Sequence, residues 1–534
     1  MRLRRKPSTS ASAEPAALPA GSRWAPEGGV PLGIRGGSSV ISVDERGALH
    51  SGAGWSLRWW IGTEDGWHDP AERVGTRQSL REGTPVIDTV LRVPGGDARA
   101  TAWAAKTNHG SSAVLEVRNE GRSPFGLALV LGPAAELEVH GCLVTSGDLP
   151  IVALERPPSD VLAATSIEEL WEELSSNGTS TMPRGAHDGY LALVYPIAHT
   201  TGLRISLALD GLVCAPADVP DADAVSRGWR RQLGEVTRLV LPDAELERLV
   251  TTQRCYLLTD AHPVAASVDA AAALQLARFD HVAEARRRLD AVLLGGSPRE
   301  LVATAAAYAR LDPEVSPALV EPAITALAQL GRRRTVAAQG HLAAVASIFD
   351  AAGRFEEAES LRKGVGTASA SRGVAAGSDP SSLDGDLVDP AVAALWQDLS
   401  GSANGVGTWR NLAGYDPARA AELLGAVVAA LVDDADPSHL DFLPGWIEPW
   451  RGQGLEVHGL ATTAGRLSLA LRWHGARAAF LWEIEPNVAH STTVPTVRCR
   501  SLDPAWRGRG WRGEALLGEP SEPSLPVDPD DSFS

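Results

Sequence analysis

The chain has 534 residues, of which 44% are hydrophobic and 22% charged, and it carries a formal net charge of −17. That length is too great for one ordinary core and calls for about three domains at ~100–200 residues each. The acidic balance speaks against nucleic acid as a partner, because phosphate contacts need clustered Lys and Arg, and here the only lysines are Lys6, Lys106 and Lys363.

The N-terminal stretch MRLRRKPSTSASAEPAALPAGS begins with positive charge but develops no apolar segment, so it is not a secretory signal; residues 1–29 are expected to be a disordered tail. No apolar run approaches the ~20 residues of a membrane span. The cysteines Cys142, Cys214, Cys255 and Cys499 include no CxxC pair, which favours free thiols over a zinc ribbon or a disulfide framework. Together these features predict a cytoplasmic protein with no membrane partner and no cofactor. They leave the oligomeric state open.

From about residue 30 to 239 the pattern is that of strands. VIDTVLRVP, AVLEVRNEG, FGLALVL, YLALVYP and RISLALDG are short Val/Leu/Ile-rich runs separated by turn residues, and in the last Ile205, Leu207 and Leu209 share one face. NEGRSP, from Asn119, supplies a turn between two of them. So many strands without intervening helices predict an antiparallel β-sandwich. The exception is SIEELWEELSS, where Ser166 and Glu169 have capping-box spacing for one helix.

After Pro242 the period changes to that of helices. DAELERLVTTQRCYLL places Leu246, Leu249, Val250 and Leu257 on one stripe with Asp243 as N-cap. HVAEARRRLDAVLL repeats the pattern through Val282, Ala285, Leu289 and Val292, and HLAAVASIFDAAG does so through Leu342, Val345 and Phe349. Recurrent helical hairpins over 240–440 are the economical reading, interrupted by a Gly/Ser/Asp-rich loop at 364–388. From 441 to 517 a small β-domain follows. There Leu467, Leu469, Leu471 and Trp473 alternate with polar or small residues, His474-Gly475 marks a turn, and Phe480, Trp482 and Ile484 alternate again. Residues 518–534, acidic and proline-rich, are expected to be a second disordered tail.

Three stretches carry a family likeness. They are EDGWHDPAERVGTRQSLREGTPVIDTVLRVPGGD, HPVAASVDAAAALQLARFDHVAEARRRLDAVL and FLPGWIEPWRGQGLEVHGLATTAGRLSLALRWHG. In these the chain resembles six-hairpin glycosidase-like proteins, the group that holds glucoamylase-like, trehalase-like and rhamnosidase-like enzymes, and above all their actinobacterial type. The resemblance implies a sandwich, a central α/α toroid of helical hairpins and a terminal sheet. Only about 190 residues separate Pro242 from Ala435, and at ~30 residues per hairpin an incomplete ring is expected.

Such enzymes work with two carboxylates, one protonating the glycosidic oxygen and the other, in an inverting enzyme, activating water across ~6.5–9.5 Å. The candidates here are Asp260, which follows the first helix of the block, Asp269, in the run SVDAAAAL, and Glu448, bracketed by Trp446 and Trp450. Structural roles fit the first two as well, Asp260 as a turn-former and Asp269 as a helix N-terminal partner. Glu314 and Glu321 resemble first-turn acids. Sixteen tryptophans beside five tyrosines give ample flat apolar faces for sugars. Trp59, Trp446 and Trp450 are the candidates for substrate contact, whereas Trp473 and Trp482 fit the core. EDGWHDP lacks metal-ligand spacing and SDPSSLDGDLVDP lacks EF-hand order, so no metal is expected. The expected function is binding of a soluble intracellular oligosaccharide with weak or no hydrolysis. A non-catalytic helical scaffold and an active inverting glycosidase are the alternatives.

Overall fold

The computed structural model describes residues 29–37, 41–73, 75–176, 185, 187–211, 213–259, 266–295, 356, 359, 416–436, 438–446, 448–486 and 494–518. Fifteen strands, from Val30–Leu32 to Gly202–Gly211, join in one antiparallel sheet that curls into a half-barrel. Its hub is the long strand Phe125–His140. One side of the hub pairs with Ser56–Thr63 and the other with His187–Ile197, and its last residues turn back onto Leu143–Ser146. At Gly132 φ is +139°, and a Cβ there would sit 2.4 Å from the Gly189 carbonyl oxygen, so this bend admits only glycine.

Both faces of the hub are covered, which is why FGLALVL reads as a continuous apolar run. Leu127, Leu129 and Leu131 point into the curl with Trp59 and Ile61. Ala128 and Val130 face the other way with Trp60, under helix α1 (Ile167–Ser175), whose Trp171 meets Trp60 edge-on at 4.9 Å. Helix α1 starts as its sequence predicts: Ser166 Oγ accepts from the Glu169 amide. The Glu169 carboxylate, however, reaches one residue further back, to the Thr165 amide and hydroxyl. Helix α2 (Ala222–Gly234) covers a third apolar cluster around Trp103, whose indole N–H donates to the Pro220 carbonyl.

Helices α3 (Ala244–Thr259), α4 (Ala266–Arg278) and α5 (Val282–Gly295) follow, and α6 (Pro417–Leu431) packs against α3 and α4. Asp243 caps α3 by accepting from the Glu245 and Leu246 amides, while Leu246, Val250 and Leu257 are buried. The segment around Gly36 ties this group to the first sheet. Gly36 N–H donates to the Leu258 carbonyl, Arg287 donates to the Gly36 carbonyl, and Arg35 forms a two-point bond with Glu284.

The rest of the chain builds two further sheets. One has five strands and the other four, and Phe442, Phe480, Trp482 and Trp506 are in ring contact in the core beside them. The five-stranded sheet holds the hairpin Gly465–His474 and Arg477–Pro486, with Leu467, Leu469 and Leu471 buried. Its edge strand, Arg238–Val240, comes from ahead of the helices and pairs with Leu455–Ala461. The helices are therefore an excursion between strands of one β-structure.

This overturns the expected architecture. The first block is one curled sheet and not a sandwich of two, because a sixteen-residue strand lets a single sheet bend round and bury both faces. A central α/α toroid is not what the described residues form: they hold twenty-four strands against six α-helices, two of which lie on the first sheet. Helical periodicity reports local helices, whereas closure into a ring is a tertiary property that it does not encode. The expected helix around Leu342, Val345 and Phe349, the loop at 364–388, and Glu314 and Glu321 lie outside the described residues. So do both expected tails, except for 29 and 518 at their inner ends. Among the described residues no helix is long and apolar enough to cross a membrane.

The Arg35–Glu284 pair makes the docking of Gly36 sensitive to acid. Burial raises the Glu284 pKa, but the Arg35 bond and charge outweigh it and hold the carboxyl below its ordinary 4.5. A depressed acid stabilises the fold fully above its unfolded value, and that contribution is lost as pH falls through the folded value. Thermal melts of wild type and Arg35→Gln should therefore differ by a constant amount from pH 7 to about 4.5 and converge below it. A gap that does not shrink as pH falls below that value would show that the ion pair is not its source.

Candidate functional site

The candidate residues fall into two places. The first is the charged seam between α3, α4 and α5. Asp269, in the first turn of α4, is 1% exposed and accepts from Arg288 Nη1 on α5 at 2.7 Å. The second terminal nitrogen of Arg288 donates to the Leu257 carbonyl of α3 at 3.2 Å. One guanidinium thus joins three helices, and Asp269 is its counter-charge. Asp260 comes one residue after α3 and lies outside the described residues.

The second place is an aromatic corner where α6 runs into the β-structure. Leu443, Gly445 and Trp446 fold over the end of α6: the amides of Leu443 and Gly445 donate to the carbonyls of Leu431 and Ala430, and that of Trp446 donates to Leu443. Gly445 is required here, since a Cβ would lie 2.5 Å from the Ala430 methyl. A short 3-10 turn, Glu448–Trp450, follows. The Trp446 ring meets Trp450 edge-on at 5.9 Å and Trp473 at 6.0 Å with a 40° tilt. The Arg451 guanidinium stands 5.5 Å from the centre of Trp473. Trp450 is buried, whereas Trp446 and Trp473 are half-buried; the indole N–H groups of Trp446 and Trp473 are themselves shut off from solvent and have no acceptor among the described residues.

The structure brings Trp446 and Trp450 together as ring neighbours, with Glu448 between them in sequence; the Glu448 side chain is outside what is described. Trp59 is elsewhere, 1% exposed in the main core inside the curled sheet. Arg451 is a member of the corner that the sequence reading missed, and Trp473, which packs against the main core as that reading expects, also borders it. Trp473 closes the alternating series LSLALRW next to the turn, so its face looked like core. Its place at the strand end, where a strand leaves the sheet, was the available signal. Trp482, by contrast, is buried and stacked on Phe480. Among the described residues no group of three or more His, Cys, Asp or Glu side chains could hold a metal ion.

No family model matches the chain, and no curated protein does. Among solved structures it is similar to that of a bacterial glucoamylase complexed with acarbose. The two are 11% identical with a TM-score of 0.48, over 64% of this chain and 67% of that one.

Chemically, the two places differ. The seam offers a carboxylate already held by a buried guanidinium. The corner offers half-buried indole rings and a cation over one of them. Removing one member of a buried pair strands the other charge, at a cost of about 3–5 kcal/mol. Asp269→Ala should lower unfolding stability by that order in urea titrations, and Asp269→Leu combined with Arg288→Met should recover most of it. A loss in the double variant equal to that in the single one would show that Asp269 does not act through Arg288.

Proposed function

We propose that the protein binds a soluble oligosaccharide at the aromatic corner and hydrolyses it poorly. The observation that carries this reading is the contact of Trp446 with both Trp450 and Trp473, in which two half-buried indole rings lie side by side. A pyranose presents an apolar C–H face, and an indole answers it with its flat ring face. In this reading Trp446 and Trp473 stack on sugar rings, Trp450 backs Trp446, and Arg451 holds the Trp473 ring in place. Glu448 is the proposed acid at the corner, and Asp260 a second candidate.

Weak hydrolysis is supported by the state of Asp269. A general acid or base must exchange its proton with substrate or water, and this carboxylate is buried against Arg288. In the proposal it is a structural counter-ion and leaves the chemistry to others.

Calorimetry with a panel of soluble gluco- and rhamno-oligosaccharides tests the proposal. Wild type should bind at least one of them, and Trp446→Ala and Trp473→Ala should each weaken that binding about tenfold or more, the ~1.4 kcal/mol or greater expected of a stacked aromatic anchor. Product analysis of the same mixtures should show little cleavage. Undiminished binding in both variants would place the ligand elsewhere, and rapid turnover would refute the claim of weak hydrolysis.

A further inference from the structure

The four-stranded sheet gathers positive charge at one edge of an acidic protein. Residues 498–512 hold five arginines and a single acid, Asp503, whereas the whole chain has 66 acidic residues to 49 basic ones. The strand Asp503–Arg509 forms the edge and pairs antiparallel with Thr496–Cys499, with Thr496 opposite Arg509 and Val497 opposite Gly508. Val497 and Cys499 are buried, and a Cβ on Gly508 would meet Val497 and the Trp506 ring, so that face is the inner one. Alternation then places Arg498, Arg507 and Arg509 on the outer face. Arg507 and Arg509 are exposed, and Arg498 is half-buried.

The other two arginines of this stretch face an acid: Arg500 is paired with Asp441, and Arg512 stands opposite Glu483 in the five-stranded sheet. Arg507 Nη1 donates to the Pro504 and Trp506 carbonyls, which holds the side chain on its strand and leaves its charge unbalanced. Among the described residues none of Arg498, Arg507 and Arg509 has an ion pair. The exposed acid of this face, Asp433, is two strands away from Arg498. Three cations thus share one surface without a counter-charge.

We propose that the acidic segment 519–531 of the same chain docks on this arginine face. Its sequence, EPSEPSLPVDPDD, has five acids, four prolines and no Lys or Arg. Glu519, Glu522, Asp528 and Asp531 are separated by multiples of three, the spacing that a polyproline helix puts along one side. Pro520, Pro523, Pro526 and Pro529 favour that helix and lower the entropy lost on docking. The tether begins at the right place: the Gly518 amide donates to Asp503 Oδ2 at 3.4 Å, at the start of the edge strand. That strand is ~20 Å long, and the segment reaches ~40 Å at ~3.1 Å per residue. A short tether sets a local concentration of about millimolar, an advantage that no free polyanion has on a chain of net charge −17. Exposed ion pairs are individually weak and screened by salt, so the cover opens as ionic strength rises. The inference does not rest on the sugar-binding reading.

The test is arginine modification by phenylglyoxal in the full chain, read residue by residue by mass spectrometry. Wild type is compared with a variant carrying Glu519→Gln, Glu522→Gln, Asp528→Asn and Asp531→Asn, substitutions that leave the described sheets untouched. At low salt Arg507 and Arg509 should react about threefold or more slowly in wild type than in the variant, the shielding expected of several weak pairs held by a tether. Arg92, whose side chain is 76% exposed on the first sheet, should react alike in both. About 0.5 M salt should bring wild type to the rate of the variant. Equal rates at Arg507 and Arg509 in the two proteins at low salt would overturn the inference, because the face is then bare or covered by something else. A slowing that Arg92 shares would overturn it too, since the effect would not belong to this face.

Discussion

The arrangement of the described helices depends on Arg288. Its guanidinium lies at the meeting of α3, α4 and α5, almost wholly out of water, with one nitrogen on the Asp269 carboxylate and another on the Leu257 carbonyl. A charge in that position is tolerable only when its counter-charge and remaining donors are satisfied. The three helices are thus held in one relative placement: shifting α4 against α5 by a turn would strand a charge, and shifting α3 would leave an Arg288 donor unpaired. Two other pairs extend the constraint outward. Arg35 with Glu284 fastens the first sheet to α5, and Arg278 with Asp434, itself bonded to the Thr463 amide, fastens α4 to the last β-structure.

Once the helices are fixed, the path of the chain explains where the aromatic corner sits. The strand Arg238–Val240 enters the five-stranded sheet, the chain leaves through α3, and it returns through α6 directly into the strand Val432–Asp436. The corner is built at that return. Gly445 lets the chain lie against Ala430 at the end of α6, and the turn that follows delivers Trp446 and Trp450 to Trp473 at the end of a neighbouring hairpin. Residues far apart in sequence meet there because helix and sheet share one junction.

Local features were legible in the sequence wherever a short-range rule governs them. Asp243 and Ser166 cap helices as their spacing says, and the alternation of Leu467, Leu469 and Leu471 places them on a buried face. Rules of that range do not decide how elements close on one another. Strand runs with both faces apolar fit a two-sheet sandwich and a single curled sheet alike, and only the length of Phe125–His140 favours the latter. Helical stripes were likewise extended into a toroid that the described residues do not form. At the candidate site, Trp446 and Trp450 stood out because five residues of one motif hold both. Trp59 stood out equally and lies in the core, because an exposed and a buried indole look the same in a turn-rich stretch. Asp269 could not be told from a catalytic acid, since its partner Arg288 is a helix away.

The account turns on which indoles meet the ligand, and nitrogen–proton spectra of the tryptophan side chains report that directly. With the sixteen indole signals assigned by substitution, an oligosaccharide titration should move those of Trp446 and Trp473. The signals of Trp59, Trp60 and Trp103, buried in the first sheet, should hold still. Shifts confined to other tryptophans, or no shift at any sugar concentration, would contradict the proposed role of the aromatic corner.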